Sequence, residues 1–307
     1  MNKKGLILVL ATAIISGFSI FINKYSVSVI NPYVFTFLKN ALVALALCSI
    51  FLAIKERVAL KKLTKKQWSV LGLIGLVGGS VPFLLFFKGL SLTSAAQGSF
   101  IHKTMFVYVA ILAAMFLREK ISKEFLIGAL LLILGNLFLL KKLPVSFSKG
   151  DLMVLAATFL WAIENVISKY ALRDLDGKIV AWGRMFFGSI FILGYLGFSG
   201  GLAPIVSLSI VQIGWTAITA GLLFGYVLTW YSGLKYVPVS VATAILMFGS
   251  SVTTMLSLAS GASVSLKEIA AGVSIMAGLA FIISLKYLSG KVSGTLQKGT
   301  SHLSTFP

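Results

Sequence analysis

Ten long apolar runs, separated by short polar segments, constrain the fold of this chain more than any other feature of its sequence. A helix needs about 20 predominantly apolar residues to cross the hydrocarbon core of a bilayer. Because 58% of the residues are hydrophobic and only 11% are charged, the composition is not that of a soluble domain. We expect an all-α polytopic membrane protein with ten transmembrane helices, at residues 6–30, 33–54, 68–90, 95–117, 125–140, 152–172, 179–199, 211–234, 239–260 and 269–288.

Basic residues are distributed unevenly among the loops between these runs. The chain has 27 Lys and Arg against 8 Asp and Glu, a net charge of +19 that by itself would suggest a nucleic-acid partner. When the N-terminus is placed inside, most loop cations fall on the inner side, as the positive-inside rule requires. We therefore expect the lipid bilayer as partner, no nucleic acid, and both termini in the cytoplasm. The cations left on the outer side are Lys141, Lys142, Lys149 and Lys267.

Internal repetition divides the runs into two sets of five. The residues that align when the chain is displaced against itself are Gly5 with Gly150, Lys39 with Arg184, and Gly89 with Gly233. Since five is odd, the second set enters the membrane from the opposite side, and inverted repeats are common in transporters that work by alternating access. We expect a first repeat at 1–145, a second at 146–288 and a flexible cytoplasmic tail at 289–307.

Residues 103–135, KTMFVYVAILAAMFLREKISKEFLIGALLLILG, combine an acidic helix end with spaced glycines. The fourth apolar run closes on Leu117 and Glu119 as Leu-x-Glu, and the fifth carries Gly128 and Gly135. This pattern is similar to that of the EamA family in the drug/metabolite transporter superfamily, and the resemblance extends over almost the whole chain. It implies ten helices in two five-helix repeats and a transporter of small molecules.

Further residues match the family, and others depart from it. Lys39 and Arg184 match the basic residue in the second helix of each repeat. Met105 stands where the family often has a proline in its fourth helix. The residues in the corresponding places of the second repeat are Gly249 or Ser250 for that proline, and Ser263 for the helix-ending glutamate.

Glu164 is the only acidic residue deep within an apolar run, in the segment 151–172 that opens the second repeat. A carboxylate at that depth is costly unless it faces water, a partner or a substrate. Two interpretations are open. Glu164 binds a substrate amine or a coupling proton, or it pairs with a buried Lys or Arg and holds helices together.

Lys103 and His102 lie well inside the fourth run. A lysine near the bilayer centre costs about 2.5–3.5 kcal/mol on insertion scales, so Lys103 is expected to face a wet cavity. It could contact substrate or take part in coupling, form an ion pair with Glu164, or extend towards the lipid headgroups. His102 points about 100° away around the helix, and either titrates in function or is a satisfied polar group of the core.

Lys39, Arg184 and Trp230 complete the candidate site. On the inverted topology Lys39 lies towards the outer side and Arg184 towards the inner side, so they could guard the two mouths of one cavity. Alternatively, each bonds loop carbonyls and anchors its helix end. Trp230 and Tyr231 align with Phe86 and Phe87, and such rings either stack on a substrate or form an interfacial belt.

Small residues and one proline predict how the third helix of each repeat packs. Gly75 and Gly79 form a small-xxx-small pair, and Gly221 and Gly225 form another at nearly the matching place. Such pairs let helix backbones approach closely. Pro82 removes a backbone hydrogen bond, which predicts a bend in the third helix.

The sequence contains no enzyme motif such as a phosphate-binding Gly-rich loop, an HExxH pair or a His/Cys cluster. We therefore expect no catalysis, no cofactor and no metal site. Basic residues within the apolar runs outnumber Glu164, which favours a small organic anion, amino acid or other zwitterion as substrate. We expect a secondary exporter driven by protons or by exchange. The basic residues in question are Lys24, Lys39, Lys88, Lys103 and Arg184.

Two other classes of protein fit the sequence. One exports amphipathic or cationic drugs, or carries a lipid-linked metabolite, and is favoured if a cavity opens sideways between helices. The other is a membrane protein that transports nothing, such as a receptor or assembly partner, in which Glu164 and Lys103 are in direct contact.

Overall fold

The chain folds into long helices whose positions follow the predicted apolar runs. The computed structural model describes residues 2–26, 29–53, 60–90, 92–93, 95–139, 147–205, 207–261 and 265–301. Within these ranges the secondary structure is helical, without a strand, and nine helices are long and apolar enough to cross a membrane. The tenth, Lys123–Phe138, has 16 residues, and its predicted end at Leu140 lies outside the described ranges. The all-α, multi-pass fold is as predicted.

The first repeat contains four continuous or nearly continuous helices and one that is divided. A π-helical turn, Gly75–Ser80, interrupts α3 between Lys65–Ile74 and Val81–Leu90. The helices of the first repeat are α1 (Lys3–Ser26), α2 (Pro32–Ala53), α3 (Lys65–Leu90), α4a (Ala95–Lys103), α4b (Met105–Leu117) and α5 (Lys123–Phe138).

The second repeat has the same order of helices, and its fourth helix is divided as well. Its members are α6 (Lys149–Ala171), α7 (Gly177–Phe198), α8 (Ile210–Leu234), α9a (Val239–Ile245), α9b (Phe248–Ala259) and α10 (Leu266–Ser301). The backbone of α10 continues into the segment 289–307, for which the sequence predicts a flexible tail. Residues 289–301 contain no proline, so none of them removes a backbone donor from this part of α10.

The third helices of the two repeats begin in the same way. Thr64 accepts a hydrogen bond from the backbone of Gln67 at the start of α3, and the Gln67 side chain accepts one from the Thr64 backbone. Ser209 and Gln212 form the same capping box at the start of α8. A capping box satisfies two backbone donors that a helix start leaves free, so the repeated motif sets both starts at equivalent positions.

The contacts between helices follow a pattern that relates the two repeats by symmetry. Helix α1 packs against α8 and α9b, and its counterpart α6 packs against α3 and α4b, while α2 pairs with α7 and α5 with α10. Exchanging the repeats leaves this set of pairs unchanged, which is the signature of a pseudo-two-fold axis. The chain therefore forms two inverted five-helix repeats.

The aligned glycines lie at close crossings between helices of different repeats. A Cβ atom on Gly150 would lie 2.8 Å from the Gly89 carbonyl oxygen, and one on Gly233 would lie 3.1 Å from that of Gly5. Backbones can approach to this extent only when no side chain intervenes. The residue repetition seen in the sequence thus marks the two equivalent crossings α3–α6 and α1–α8.

The packing prediction for the third helices holds in one repeat only. Gly79 lies directly against Gly188 of α7. The prediction is wrong for the second pair, because nothing lies within 4 Å of a Cβ on Gly221, and Gly225 meets only an ordinary contact at 3.4 Å. By the alignment of Lys39 with Arg184, the residue of α2 that corresponds to Gly188 is Val43, so the second repeat lacks a glycine partner at this crossing.

Candidate substrate and coupling site

The π-helical turn of α3 presents a backbone carbonyl to the centre of the bundle. Pro82 has no N–H, so it cannot donate to the carbonyl four residues earlier, that of Gly78. The Gly78 oxygen instead accepts a hydrogen bond from Trp161 Nε1 over 3.0 Å and one from Arg184 Nη2 over 3.1 Å. The next carbonyl, that of Gly79, accepts from Asn40 Nδ2 over 2.7 Å. The proline therefore leaves a free acceptor that two side chains of the second repeat occupy.

Glu164 lies beside this turn, with only 1% of its surface exposed. The Tyr231 hydroxyl of α8 donates to Glu164 Oε1 over 2.7 Å. The hydroxyl of Ser168, which lies on α6 like Glu164, donates to the same oxygen. A Cβ atom on Gly78 would overlap the Glu164 side chain. Glu164 thus occupies space that exists because position 78 has no side chain, and two hydroxyl donors offset part of the cost of burial.

Arg184 of α7 is the nearest cation in this network, and 6% of it is exposed. Its Nη1 donates to the Tyr231 hydroxyl over 3.2 Å, so one tyrosine connects the guanidinium with the carboxylate. The guanidinium carbon also lies 5.7 Å from the ring centre of Phe83. Its Nε has no hydrogen-bond partner among the described residues. We call Gly78, Glu164, Ser168, Arg184 and Tyr231 the Glu164 cluster.

The hydrogen bonds of Arg184 bear on the two interpretations given from the sequence. In one, Arg184 guards the inner mouth of a cavity; in the other, it bonds loop carbonyls and anchors its helix end. The structure places it in the bundle interior, where its carbonyl partner belongs to a transmembrane helix. The reason is that the π-helical turn provides an acceptor at a depth where a regular helix has none.

Trp230 belongs to the packed surroundings of the cluster. Its Nε1 donates to Asn165 Oδ1 over 3.2 Å, and its ring stacks on that of Tyr226. Only 1% of Trp230 is exposed, and neither this contact nor the stacking involves a helix end. The interfacial-belt interpretation therefore does not describe Trp230.

Lys103 and His102 lie at the break between α4a and α4b. At this break Thr104 and Val107 make backbone hydrogen bonds to residues three positions earlier, which is the tighter 3₁₀ pattern. Lys103 is 8% exposed, and within the described ranges it makes neither a hydrogen bond nor an ion pair, including with Glu164. His102 Nδ1 is buried and also lacks a partner among the described residues.

The break between α9a and α9b has the same local geometry. Met247, Gly249 and Ser250 each bond a carbonyl three residues earlier. The hydroxyls of Ser250 and Ser251 are buried and have no partner in the described part of the chain. Both repeats therefore interrupt their fourth helix at equivalent places, and both place unsatisfied polar groups at the interruption.

Four aromatic rings connect the α4 break with the Glu164 cluster. The His102 ring centre lies 5.0 Å from Trp161 and 5.2 Å from Phe86, and Phe83 lies 5.2 Å from Trp161. Trp161 in turn bonds the Gly78 carbonyl. We call Phe83, Phe86, His102 and Trp161 the ring cluster.

Lys39 of α2 lies apart from both groups. Its Nζ donates to Asn23 Oδ1 of α1 over 3.1 Å and lies 4.7 Å from the ring centre of Phe35. It is 5% exposed and has no carboxylate partner among the described residues. The next residue in the sequence, Asn40, donates a hydrogen bond to the π-helical turn. Lys39 is thus adjacent in sequence to a residue that contacts the network, but it is not itself part of the network.

Sequence reasoning did not identify Ser168 or Gly78 as members of the site, and it considered Tyr231 only as a stacking or interfacial ring. Ser168 lies one helical turn after Glu164, and a spacing of four residues indicates a shared face. The pair Gly78 and Pro82, also four residues apart, indicates an unpaired carbonyl beside an empty side-chain position. No local signal connects Tyr231 with Arg184, because their contact depends on how α7 and α8 pack. No group of three or more His, Cys, Asp or Glu that could hold a metal lies within the described ranges.

Comparison with known proteins gives a consistent set of relatives. A sequence model of the EamA-like transporter family matches residues 3–141 and, separately, residues 148–284. The uncharacterized transporter YyaM of Bacillus subtilis is 27% identical over 286 residues, which are 89% of this chain and 91% of the relative. The riboflavin transporter ImpX of Fusobacterium nucleatum is 26% identical over 262 residues, 78% of this chain and 84% of that protein.

Solved structures with a similar fold include one crystal structure that covers almost the whole chain. Its TM-score against this chain is 0.72 at 19% sequence identity, and the match covers 92% of this chain and 96% of the other. At this identity the likeness concerns the fold alone.

Proposed function

Because the chain belongs to the EamA-like transporter family, we propose that it is a secondary transporter that moves a small polar metabolite across the membrane by alternating access. The substrate class is an organic anion, an amino acid or another zwitterion. Transport is directed outwards and is driven by protons or by exchange. The substrate meets the protein at the two helix breaks and at the Glu164 cluster.

The observation that carries this proposal is the unpaired, buried Lys103 at the break of α4. A buried ammonium without a partner is costly, and an incoming anionic group would remove that cost. Broken helices in equivalent positions of two repeats are typical of transporter binding sites. The unsatisfied hydroxyls of Ser250 and Ser251 at the second break supply further donors for such a group.

The charge balance of the interior supports an anion or zwitterion over a cation. Arg184 and Glu164 are connected through Tyr231, so the Glu164 carboxylate already has a cationic neighbour. Lys103 and Lys39 remain buried without an acidic partner among the described residues. An entering carboxylate or phosphate would therefore offset the excess positive charge of the interior, whereas a hydrophobic cation would add to that excess.

In this proposal Glu164 is the coupling or amine-binding group. Its second oxygen, Oε2, accepts no hydrogen bond among the described residues, while Oε1 accepts two. A substrate ammonium or a proton could use the remaining oxygen. The matched test is the Glu164→Gln variant, which keeps an acceptor for Tyr231 and Ser168 but cannot be charged.

The ring cluster raises the question of an aromatic substrate. Its rings lie between Lys103 and Arg184, and base or flavin rings stack on such side chains. One relative is named a riboflavin transporter, so riboflavin belongs in any ligand panel together with carboxylates, amino acids, sugar phosphates and amphipathic cations.

The first test is thermal stabilisation of the purified protein by that panel, in the wild type and in Lys103→Gln. A ligand that binds only the folded state raises its apparent stability. We expect an anion or zwitterion to stabilise the wild type, and its affinity to fall about tenfold or more in Lys103→Gln, since a charge-assisted hydrogen bond is lost. The control variant is Lys123→Gln, which removes an exposed lysine at the start of α5 and should bind as the wild type does.

Transport in proteoliposomes then tests coupling. We expect the Glu164→Gln protein to lose the pH dependence of transport, whereas unchanged pH dependence would remove Glu164 from the coupling mechanism. If only hydrophobic cations stabilise the protein, and only while Glu164 is intact, the substrate proposal is wrong and a drug exporter replaces it.

A further inference from the structure

A cationic cavity of about 430 Å³ lies outside the proposed substrate site. Its walls include Lys120, Lys169 and Lys235, with Glu119 as the acidic member. Val237 and Pro238 of the turn between α8 and α9a form part of its floor. The cavity therefore combines three ammonium groups with one carboxylate.

The carboxylate of Glu119 is fully engaged by the protein. Its Oε1 accepts from the Val239 N–H over 2.7 Å, and its Oε2 accepts from the Ser240 hydroxyl over 2.6 Å and from the Ser240 N–H over 3.2 Å. These bonds cap the start of α9a, where a negative charge is favourable. Glu119 is consequently not available to neutralise a nearby lysine through direct contact.

Lys169 is engaged as well, but through backbone carbonyls that do not cancel its charge. Its Nζ donates to the carbonyls of Leu234 and Val237 over 2.6 and 2.8 Å, and to that of Lys235 over 3.4 Å. Lys169 therefore anchors the end of its helix, as lysines near helix ends commonly do. Lys24 is the equivalent residue of the first repeat, and its side chain lies outside the described residues. Lys169 thus contributes a fixed positive charge with its donors in use.

Free donors remain on the other two lysines. Lys235 makes one long hydrogen bond, 3.5 Å, to the Leu175 carbonyl. Lys120 is exposed and makes no hydrogen bond or ion pair within the described ranges. An anion in the cavity would meet two flexible ammonium groups beside a third that is held in place.

The cavity lies at the level where the membrane-spanning segments end. Lys120 follows the end of α4b, Lys169 is in the last turn of α6, and Lys235 follows the end of α8. On the topology predicted from the loop charges, all three ends are on the cytoplasmic side, the side with anionic lipid. Directly before this rim, α4b exposes Met115 and Phe116, an apolar surface suited to acyl chains.

We propose that this cavity binds the phosphate group of an anionic phospholipid of the inner leaflet, with Lys120 and Lys235 as its mobile ligands. Basic pockets between transmembrane helices bind lipid headgroups by the same electrostatics. The ligand chemistry is a phosphate ester, and the adjoining apolar surface favours a lipid over free phosphate. This proposal does not depend on the transported substrate.

The test measures binding of short-chain phosphatidylglycerol to the detergent-purified protein, with short-chain phosphatidylcholine, glycerol 3-phosphate and inorganic phosphate as comparison ligands. The variant is Lys120→Gln combined with Lys235→Gln. The control is Lys61→Gln combined with Lys62→Gln, which removes the same charge from an exposed segment outside the cavity. We expect phosphatidylglycerol affinity to fall about fivefold for each cavity lysine lost and to be unchanged in the control.

The comparison ligands distinguish the possible sources of phosphate. If glycerol 3-phosphate and inorganic phosphate bind as tightly as phosphatidylglycerol, and lose affinity in the same variant, the phosphate site stands and the lipid assignment falls. Equal loss of phosphatidylglycerol affinity in both double variants would attribute binding to general charge and overturn the proposal. Unchanged affinity in the cavity variant would overturn it as well.

Discussion

Gly78 gives the buried network both an acceptor and a space. Its carbonyl accepts Trp161 and Arg184 because Pro82 cannot donate to it. The missing side chain at the same residue leaves room for Glu164. Backbone and side-chain chemistry at one position therefore determine where the only deep carboxylate and its nearest cation lie.

This double role predicts that Gly78→Ala is destabilising. A methyl group there overlaps Glu164, and overpacking of this kind costs about 1–3 kcal/mol. We expect a lower midpoint in thermal denaturation of the purified protein. The double variant Gly78→Ala with Glu164→Ala should recover most of the stability that Gly78→Ala loses, since the clashing side chain is gone.

Gly72 of α3 provides the control for this prediction. Nothing lies within 4 Å of a Cβ at that position. In a helix interior Ala is favoured over Gly by about 0.5–1 kcal/mol, so Gly72→Ala should be neutral or slightly stabilising. Equal stability of Gly78→Ala and Gly72→Ala would contradict the close contact between Gly78 and Glu164.

The residues of the site were predictable from the sequence to different degrees. Glu164 and Lys103 are recognisable from charge and depth alone, because burial of an ionisable group in an apolar run is costly wherever it occurs. The partner of Glu164 was not predictable, since Arg184 reaches it only through Tyr231 of a third helix. Such contacts depend on packing between helices, and no pattern within one helix records them.

Among the elements, the divided fourth helices are the feature that the sequence did not reveal. The family's frequent proline is absent at Met105 and at the corresponding Gly249, yet both helices tighten into 3₁₀ turns there. At the first break the Thr104 hydroxyl bonds the Ile101 carbonyl over 2.6 Å, which supports the turn without a proline. The apolar runs predicted the spans well because length and hydropathy alone decide them.

The π-helical turn of α3 leads to a prediction about Pro82. Replacing it by Ala restores an N–H that can bond the Gly78 carbonyl and compete with Arg184. We expect Pro82→Ala to keep or raise thermal stability, since proline in a helix interior is unfavourable. Its affinity for the stabilising ligand should fall about threefold to tenfold, the equivalent of one hydrogen bond.

Pro32→Ala serves as the control, because Pro32 stands at the first position of α2, where proline is well tolerated and no carbonyl depends on it. The readout is the ligand titration used for the transport site. Wild-type affinity in Pro82→Ala would mean that the freed carbonyl has no part in positioning Arg184.

At the scale of the whole molecule, the two repeats share their helix order but not all of their contacts. Glu119 holds the start of α9a in the second repeat's fourth helix, whereas its counterpart Ser263 has no carboxylate and lies outside the described residues. Gly188 permits a close crossing with α3, and Val43 replaces it in the equivalent crossing. The two ends of the helix bundle are therefore held by different interactions.

The inverted arrangement places equivalent residues of the two repeats on opposite sides of the membrane. Lys66 and Val211 follow the matching caps of α3 and α8, and both are exposed. Gln212, next to Val211, donates to the Val29 carbonyl over 2.7 Å, which puts the start of α8 beside the end of α1. If the N-terminus is cytoplasmic, Lys66 is inside and Val211 is outside.

Labelling with a membrane-impermeant maleimide in intact cells measures this arrangement. The two variants are Lys66→Cys and Val211→Cys, each in a Cys48→Ser background so that no native thiol reacts. We expect Val211→Cys to react from outside, and Lys66→Cys to react only after permeabilisation, because the positive-inside rule keeps the Lys-rich segment in the cytoplasm. The opposite pattern would reverse the orientation but keep the inversion, whereas equal labelling of both from outside would contradict the inverted repeat itself.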